Sequence, residues 1–460
     1  MVQIKTKCNI PRIMIAASGS NSGKTTITTS LLKAFSERGK KVAAYKSGPD
    51  YIDPMFHREV IKIPSRNLDQ FMLGDNNCKY ILGKNSKEMD ISVIEGVMGY
   101  YDGIGTGTSG SSYELAKVLN CPVVLVVNCY GMSASVCAII QGFRDFRENS
   151  NIKGVILNNI SHGMYDYYKK IIETNLNVKV YGYMPHMENC ELESRHLGLV
   201  TAQEIGNLES IVKELGEAAL QTIDLKGIYE LSLTADSLEY DEPHIVKAGK
   251  TKIAVAQDKA FCFYYRDSLD LLEQMGAELI EFSPLNDKKL PDDVGGLYLG
   301  GGYPELYMKQ LSENKSMLKE LKEKINSGLP TYAECGGYMY LLKSFKDENN
   351  KEYNLVGIAD GQSYMTKSFK HFGYIKLTAE NDNLMCKRYE SINGHEFHYS
   401  DSTNLGNSFK ATKPESKTQW DCIIADDTKF LGYPHLHLLS NINFAANFIK
   451  KCIEYKENSI

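Results

Sequence analysis

The stretch RIMIAASGSNSGKTTITTSLLKAFSERG, residues 12–39, decides the fold of the first half of the chain. It begins with a short apolar run, continues through a loop of glycine and serine, and then shows apolar residues at helical spacing over residues 25–37. Gly39 follows as a stop signal for that helix. A strand, a glycine loop and a helix in this order predict the first unit of a parallel α/β sheet.

The same alternation continues to about residue 158. Four further short runs are rich in valine and isoleucine and are bounded by Gly, Pro or Asn, at residues 41–45, 91–95, 123–128 and 154–158. Strands that are buried on both faces of a parallel sheet have this composition. We therefore expect a doubly wound parallel sheet in this half of the chain.

The second half repeats the alternation after a polar interruption. Residues 226–250 include Pro243 and Gly249 and are expected to be a linker. Strand-like runs then return at residues 252–257, 278–282, 296–299 and 330–333, with a helical pattern over 268–275. The prediction is an α/β protein of two domains, residues 1–225 and 251–460, joined by the segment 226–250.

The composition narrows the functional classes. With 460 residues, 43% hydrophobic and 24% charged, the chain is an ordinary globular protein with room for two or three domains. A net charge of −5 and the lack of a basic stripe argue against nucleic acid as a partner. The longest apolar run, residues 121–127, is too short to span a membrane. Eleven cysteines without a CxxC pair indicate a reducing, cytoplasmic setting.

The loop SGSNSGKT has the spacing of a Walker A phosphate loop, although Ser18 replaces its first glycine. Gly19 and Gly23 allow backbone N–H groups to face a polyphosphate, Lys24 can reach the terminal phosphates, and Thr25 can hold Mg²⁺. A chance glycine turn is the alternative. The position of the loop between a strand and a helix favours a nucleotide site.

Two carboxylates are candidates for the magnesium site. Glu95 ends a buried strand, where a charge is costly unless it faces a cleft or an ion. Asp69, in SRNLDQF, is the second candidate. The competing interpretation is that such a residue only caps a neighbouring helix.

A cysteine lies at a predicted strand-to-helix turn in PTYAECGGYMYL, residues 330–341. Such an elbow exposes Cys335 and offers it the positive end of a helix, which would lower its pKa. The backbone N–H groups of Gly301, Gly302 and Gly336 are candidates for stabilising a tetrahedral oxyanion. The other ten cysteines are expected to be structural.

The base for this thiol is expected in GYPHLHLLS. His435 and His437 would share a face if this segment is a strand, so that one takes the proton and the other orients it. The pair could also indicate a metal site, but no third ligand at a characteristic spacing accompanies it.

Several motifs carry a family resemblance. KSGPDYIDPMFH, SRNLDQF, EGVMGYYDG, SRHLGL, AFCFYY, SPLND, YLGGGYPEL, AECGGYMYL and GHEFHYS resemble cobyrinic acid a,c-diamide synthases, over residues 13–447. The first domain is similar to dethiobiotin synthetase, and the second to a variant class I glutamine amidotransferase. The resemblance implies that glutamine is hydrolysed through a thioester on Cys335 and that ammonia passes internally to the other domain. There ATP would phosphorylate a ring carboxylate, and ammonia would displace the phosphate.

The resemblance also implies positions for the binding residues. The ATP site would comprise Ser18, Gly19, Ser22, Gly23, Lys24, Thr25, Thr26, Lys46 and Asn158. The magnesium ligands would be Thr25, Asp69 and Glu95. Phosphate and substrate carboxylate would be positioned by Asp50, Asp53 and Asp102.

The chain departs from the family pattern at two places. Class I glutaminases usually have a glutamate two residues after the catalytic histidine, where this chain has His437; alignment with cobyric acid synthases selects His435 as the base. Ala333 stands where a glycine often begins the elbow, and it fits only if its φ is negative.

Other functions stay open at this point. The same chemistry could act on hydrogenobyrinate or nickel-sirohydrochlorin instead of cobyrinate. A non-catalytic ATP switch is a more distant alternative, and it leaves the cysteine, glycine and histidine motifs unexplained. The expected partners are ATP, L-glutamine and the ring, with a homo-oligomer possible and no membrane partner.

Overall fold

The computed structural model describes residues 5–187, 190 and 208–458. The chain divides into two compact units, residues 1–243 and 244–460. The SRHLGL motif, residues 194–199, lies outside the described residues. No helix in the described part of the chain is both long and apolar enough to cross a membrane.

The first unit is built around a parallel sheet of seven strands. Their order is β4-β3-β5-β2-β6-β7-β8, and each neighbouring pair is parallel. The strands are β2 (Arg12–Ala17), β3 (Val42–Ser47), β4 (Ser65–Leu68), β5 (Ile91–Glu95), β6 (Val123–Asn128), β7 (Ile152–Asn158) and β8 (Lys179–Met184). The doubly wound parallel sheet is thus confirmed.

Helices connect these strands and cover the sheet. They are α1 (Lys24–Glu37), α2 (Ile52–Glu59), α3 (Gln70–Asn85, interrupted at Gly74), α4 (Ser112–Val118), α5 (Ser135–Asp145), α6 (Tyr165–Leu176), α7 (Leu208–Thr222) and α8 (Leu225–Ser232). All six residues of β2 are buried, in keeping with its continuous apolar run. Because β2 and β5 are neighbours, the loop after β2 and the end of β5 lie at the same edge of the sheet.

The segment 226–250 contains more regular structure than its polar composition indicates. Most of α8 lies within it, as does strand β9 (Leu238–Asp241), which pairs with β1 (Lys5–Cys8). Ile228 and Leu231 face the core of the first unit at helical spacing. The sequence predicts a linker over residues 226–250, and the division between the units, after residue 243, falls within this segment.

The second unit contains a mainly parallel six-stranded sheet. Its order is β11-β10-β12-β13-β21-β20, with only β20 antiparallel to its neighbour. The strands are β10 (Thr251–Ala256), β11 (Ala277–Phe282), β12 (Gly296–Leu299), β13 (Thr331–Glu334), β20 (Ile424–Ala425) and β21 (Lys429–Gly432). The helices are α9 (Arg266–Gln274), α10 (Met308–Glu313), α11 (Lys315–Asn326), α12 (Gly336–Leu341) and α13 (Ile442–Asn458).

A second sheet, mainly antiparallel, completes this unit. It contains β14 (Leu342–Lys346), β15 (Glu352–Asn354), β16 (Ala359–Ala379), β17 (Ser391–Ser402), β18 (Phe409–Thr412), β19 (Gln419–Cys422) and β22 (His435–Leu436). The short strand β22 pairs with β17, so His435 and the GHEFHYS motif meet in this sheet. The two-domain α/β class is confirmed, and this additional sheet extends it.

Candidate functional site

The phosphate loop lies between β2 and α1, as the sequence predicts. Gly23 precedes α1 with φ 91°, and a Cβ added there would lie 2.0 Å from Nδ2 of Asn158, so only glycine fits. Asn158 donates through that nitrogen to the carbonyl oxygen of Ser22 at 3.1 Å. Ser18 Oγ lies 3.3 Å from Ser22 Oγ, and Thr26 lies in the first turn of the helix. The phosphate loop is therefore packed against the end of β7 and hydrogen-bonded to it.

Lys24 and Thr25 point from the start of α1 toward the end of β5. Lys24 donates to the carbonyl oxygen of Met98 at 2.9 Å, and Thr25 Oγ1 donates to Glu95 Oε1 at 2.6 Å. Burial, followed by the nearby Lys46 ammonium, lowers the pKa of Lys24 to about 8. Lys24 thus lacks a carboxylate hydrogen bond in the described chain, and an anion would stabilise its charge.

Lys46 joins the candidate acidic residues into one buried cluster. Its Nζ forms a close ion pair with Asp53, lies 3.0 Å from Glu95 Oε1, and lies 3.9 Å from Asp50 Oδ2. Burial alone would lower the pKa of Lys46, but Asp53 and Glu95 outweigh it and raise that pKa. The structure therefore brings Lys46, Asp50, Asp53, Glu95 and Thr25 together.

The carboxylates of this cluster are not equivalent. Burial and the neighbouring Asp53 charge raise the pKa of Asp50 to about 7. Burial would also raise the pKa of Asp53, but the adjacent Lys46 ammonium holds it below its ordinary value. Burial and Asp53 raise the pKa of Glu95. Glu95 Oε2 accepts no hydrogen bond from any described residue, which leaves one buried oxygen for a ligand.

Asp69 and Asp102 make structural contacts of their own. Asp69 Oδ1 accepts a hydrogen bond from the backbone N–H of Met72 at 2.9 Å and so caps α3. Asp102 Oδ2 accepts from the N–H of Gly99 at 2.8 Å, in the loop after β5. The helix-cap interpretation therefore applies to Asp69, whatever else its carboxylate binds.

The sequence reasoning missed His57. It is fully buried on α2, with Nδ1 3.1 Å from Ser65 Oγ and Nε2 3.8 Å from Glu95 Oε2. Burial lowers its pKa to about 4, so the ring is neutral at physiological pH. The sequence signal for this residue is its place at the end of the KSGPDYIDPMFH motif.

Cys335 lies on a strained turn between β13 and α12. Its φ of 44° and ψ of −103° are unusual for a residue with a side chain, and its N–H donates to the carbonyl oxygen of Gly432 at 2.8 Å. Ala333 lies within β13 without a left-handed backbone. The elbow geometry is therefore carried by the cysteine itself.

The glycine loop brings His435 to this thiol. A Cβ added to Gly301 would lie 2.5 Å from His435 Cε1 and 3.5 Å from Cys335 Cβ, so both residues border the same space. Gly302 has φ 153°, and a Cβ on Gly336 would lie 3.3 Å from its nitrogen. The structure thus unites all five residues of the predicted glutaminase centre other than His437.

Glu334 is a further residue that the sequence patterns do not predict, and it lies beside His435. It is 1% exposed, and its Oε2 lies 3.5 Å from Nδ1 of His435. Its Oε1 accepts hydrogen bonds from the N–H of Leu436, at 3.1 Å, and from the hydroxyl of Tyr332. Burial raises the pKa of Glu334, and His435 limits that rise. A carboxylate is thus available to orient His435 from the residue before the thiol.

His437 lies in a different environment from His435. Its buried ring stacks on Tyr265 at 4.9 Å between centroids, whereas the ring of His435 stacks on His395 at 5.0 Å. Tyr265 and His395 are in turn joined by a hydrogen bond of 2.7 Å. The geometry favours His435 as the base and gives His437 a supporting place behind it.

The environment of Cys335 differs from the sequence expectation in one respect. A low thiol pKa was expected from the helix terminus. Burial raises the pKa of Cys335, followed by the charges of Glu305 and Glu396, and the N–H of Gly336 lowers it only in part. The prediction of a low thiol pKa is wrong because burial raises this pKa most, and the charges of Glu305, Glu396 and Glu334 raise it further.

Comparisons with known proteins agree with both halves of this geometry. Residues 13–200 match the family model for a CobQ/CobB/MinD/ParA nucleotide binding domain, and residues 252–442 match that for a CobB/CobQ-like glutamine amidotransferase domain.

Curated relatives match along nearly the whole chain. Cobyrinate a,c-diamide synthase of Caldanaerobacter subterraneus subsp. tengcongensis is 42% identical over 96% of this chain and 98% of the relative. The Clostridium tetani enzyme of the same name is 42% identical over 95% and 99%. That of Thermoplasma volcanium is 38% identical over 97% and 98%.

Proposed function

The chain belongs to the cobyrinate a,c-diamide synthase family, and from this premise we propose that it uses ATP and glutamine to amidate two carboxylates of cobyrinate. The observation that carries the proposal is the meeting of Cys335, His435 and Gly301 in the second unit. A non-catalytic nucleotide switch does not require a strained thiol with a histidine beside it, whereas a glutaminase requires such a nucleophile and base.

In the second unit, the proposed reaction is glutamine hydrolysis. Cys335 attacks the side-chain amide carbon, and His435 takes the thiol proton and passes it to the departing ammonia. The N–H groups of Gly302 and Gly336 stabilise the oxyanion that forms. Water then hydrolyses the thioester and releases glutamate.

In the first unit, the proposed reaction is activation of the ring carboxylate. ATP transfers its γ-phosphoryl group to that carboxylate, and ammonia displaces phosphate from the acyl phosphate to give the amide. Lys24 and Lys46 would offset the charge of the phosphates. We place Asp50 and Asp53 beside the substrate carboxylate because Lys46 holds both carboxylates.

The residues at the phosphate loop fit a magnesium ion. Mg²⁺ prefers hard oxygen ligands, and Thr25 together with the unpartnered Oε2 of Glu95 supplies them. Asp69 remains a third proposed ligand of the ion. We also propose that ammonia passes from one unit to the other within the protein. The ion would neutralise charge on the triphosphate. A cytoplasmic location is consistent with eleven free cysteines.

Mass spectrometry of candidate rings tests this function. The chain is incubated with ATP, Mg²⁺, glutamine and one of cobyrinate, hydrogenobyrinate or nickel-sirohydrochlorin. We expect two carboxylate-to-amide conversions on cobyrinate. If only another ring is converted to a diamide, that ring and not cobyrinate is the substrate. If no glutamate is released, the amidotransferase proposal is contradicted.

A further inference from the structure

A buried carboxylate on β17 has an oxygen without a donor. Glu396 is 1% exposed, and its Oε2 lies 2.8 Å from Nε2 of His398. Its Oε1 accepts no hydrogen bond from any residue in the described ranges. A buried charged oxygen without a donor is costly, so such an atom in a native site calls for a ligand.

The nearby nitrogen groups already have hydrogen-bond partners. Nδ1 of His398 lies 2.8 Å from the carbonyl oxygen of Ser400, so this ring is held at both nitrogens. Lys413 donates to the backbone carbonyl oxygens of His371 and Phe372. The partner of Glu396 Oε1 must therefore come from outside this group of side chains.

Contacts connect Glu396 to the thiol. The ring of His398 stacks on that of Tyr433 at 4.1 Å and 14°, and Tyr433 follows the glycine that accepts the N–H of Cys335. The charge of Glu396 also acts on Cys335. Glu396 therefore belongs to the surroundings of the nucleophile.

We propose that Oε1 of Glu396 binds the α-ammonium group of glutamine and so selects this amide over others. The inference rests on the proposed glutaminase function. In glutamine, three carbon atoms separate the amide carbon from the α-nitrogen, so the recognising group lies beside the thiol without touching the reacting amide. A charge-assisted hydrogen bond in a buried site gives both affinity and selectivity.

Binding of this cation also answers an electrostatic difficulty. The charges of Glu305 and Glu396 disfavour the thiolate of Cys335. An ammonium group placed against Glu396 offsets one of these charges, so the nucleophile becomes more acidic when its own substrate is present.

The test compares L-glutamine with glutaramate, which has the same amide and carboxylate but no α-amino group. Glutamate or glutarate release is measured for the wild-type chain and for Glu396→Gln. For glutamine, we expect kcat/KM of the variant to fall about 10- to 100-fold, mainly through KM, because one charged hydrogen bond is lost. For glutaramate, kcat/KM should change less than about threefold, and its turnover shows that the variant is folded.

Glu305→Gln is the matched control, since it also removes a carboxylate that acts on Cys335. We expect it to keep the wild-type preference for glutamine. Equal loss on both substrates in Glu396→Gln, or loss of the preference in Glu305→Gln instead, would overturn the inference.

The wild-type chain supplies an outcome that does not depend on any variant folding. If it hydrolyses glutamine and glutaramate equally well, no group recognises the α-ammonium and the inference fails while the glutaminase survives. If it releases no glutamate from glutamine, the proposed function fails first.

Discussion

We propose that Glu334 takes the place of the carboxylate partner that His435, the proposed base, lacks at residue 437. The residue two positions after His435 is a histidine, whereas class I glutaminases usually have a glutamate there. In this fold Oε2 of Glu334, at the end of β13, lies 3.5 Å from His435 Nδ1. Orientation of a catalytic imidazole by a buried carboxylate fixes its tautomer and stabilises its protonated form.

We predict that Glu334→Gln lowers kcat for glutamine hydrolysis about tenfold or more, because the imidazole loses its orienting charge. His435→Ala should lower it about 10²- to 10⁴-fold. If the two residues act as one unit, the double variant will be no slower than His435→Ala alone. Initial rates of glutamate release measure all three, and strictly multiplicative losses would contradict the coupling.

A second prediction concerns the pH dependence of the thiol. Because burial and three carboxylates raise the pKa of Cys335, its thiolate fraction at any given pH is smaller than that of a free cysteine. Alkylation of Cys335 by iodoacetamide, followed by peptide mass spectrometry, should therefore increase with pH past pH 9. A plateau below pH 8 would show that the thiol is already acidic without substrate.

The same alkylation measurement distinguishes the two histidines. We expect His435→Ala to slow the reaction of Cys335 at neutral pH more than His437→Ala does, since the ring of His435 borders the thiol and that of His437 stacks on Tyr265. If His437→Ala slowed the alkylation of Cys335 more, His437 and not His435 would be the base. The far-ultraviolet circular dichroism of both variants serves as the control for folding.

At the residue scale, sequence patterns predict the groups whose chemistry is tied to local spacing. Lys24, Thr25 and Cys335 follow from glycine loops and strand ends. Glu334 and Glu396 do not, since their importance depends on residues that are distant in the chain. Glu334 lies 101 positions before His435, and Glu396 lies 61 positions after Cys335. The thiol pKa likewise depends on carboxylates that only the folded chain brings near.

At the element scale, the loop at Gly301 borders both Cys335 and the ring of His435, the proposed base. A methyl group at this position would lie 2.5 Å from the ring of His435, closer than any real Cβ contact. The ring has little room to move because it is 2% exposed and stacks on His395.

We predict that Gly301→Ala lowers glutamine-dependent turnover about 10²-fold, because displacement of a catalytic group by about 1 Å has this cost. Amide formation from added ammonium should be retained. Gly142→Ala is a suitable control, since a Cβ at Gly142 in α5 meets no atom within 4 Å. Unchanged glutaminase activity in Gly301→Ala would show that His435 is not the base in this position.

The elements themselves follow the sequence where their apolar pattern is continuous. Residues 91–95 and 123–128 coincide with β5 and β6. The pattern fails for β16 and β17, whose exposed faces carry aromatic residues such as Phe372 and Phe397, so that no polar–apolar alternation marks them. It fails for α8 because its apolar residues are embedded in a polar segment.

At the scale of the whole molecule, two reactions are assigned to two separately folded units. The first contains the phosphate loop and the second contains the thiol, with the division after residue 243. Each unit has its own hydrophobic core, and residues of its parallel sheet contribute to that core. The proposed link between them is chemical, because the nitrogen released in one unit is consumed in the other.

This division predicts the behaviour of Cys335→Ser. The serine hydroxyl is a far weaker nucleophile without a stronger base, so glutamine-driven amidation should fall at least about 10²-fold. Amidation driven by added ammonium and ATP should stay within about twofold of the wild-type rate, because the first unit is unchanged. Lys24→Ala should abolish both, since activation of the carboxylate precedes either nitrogen source. Liquid chromatography and mass spectrometry of the ring product measure each case. If Cys335→Ser lost the ammonium-driven reaction as well, the thiol would be needed beyond glutamine hydrolysis, and the assignment of one reaction to each unit would be wrong.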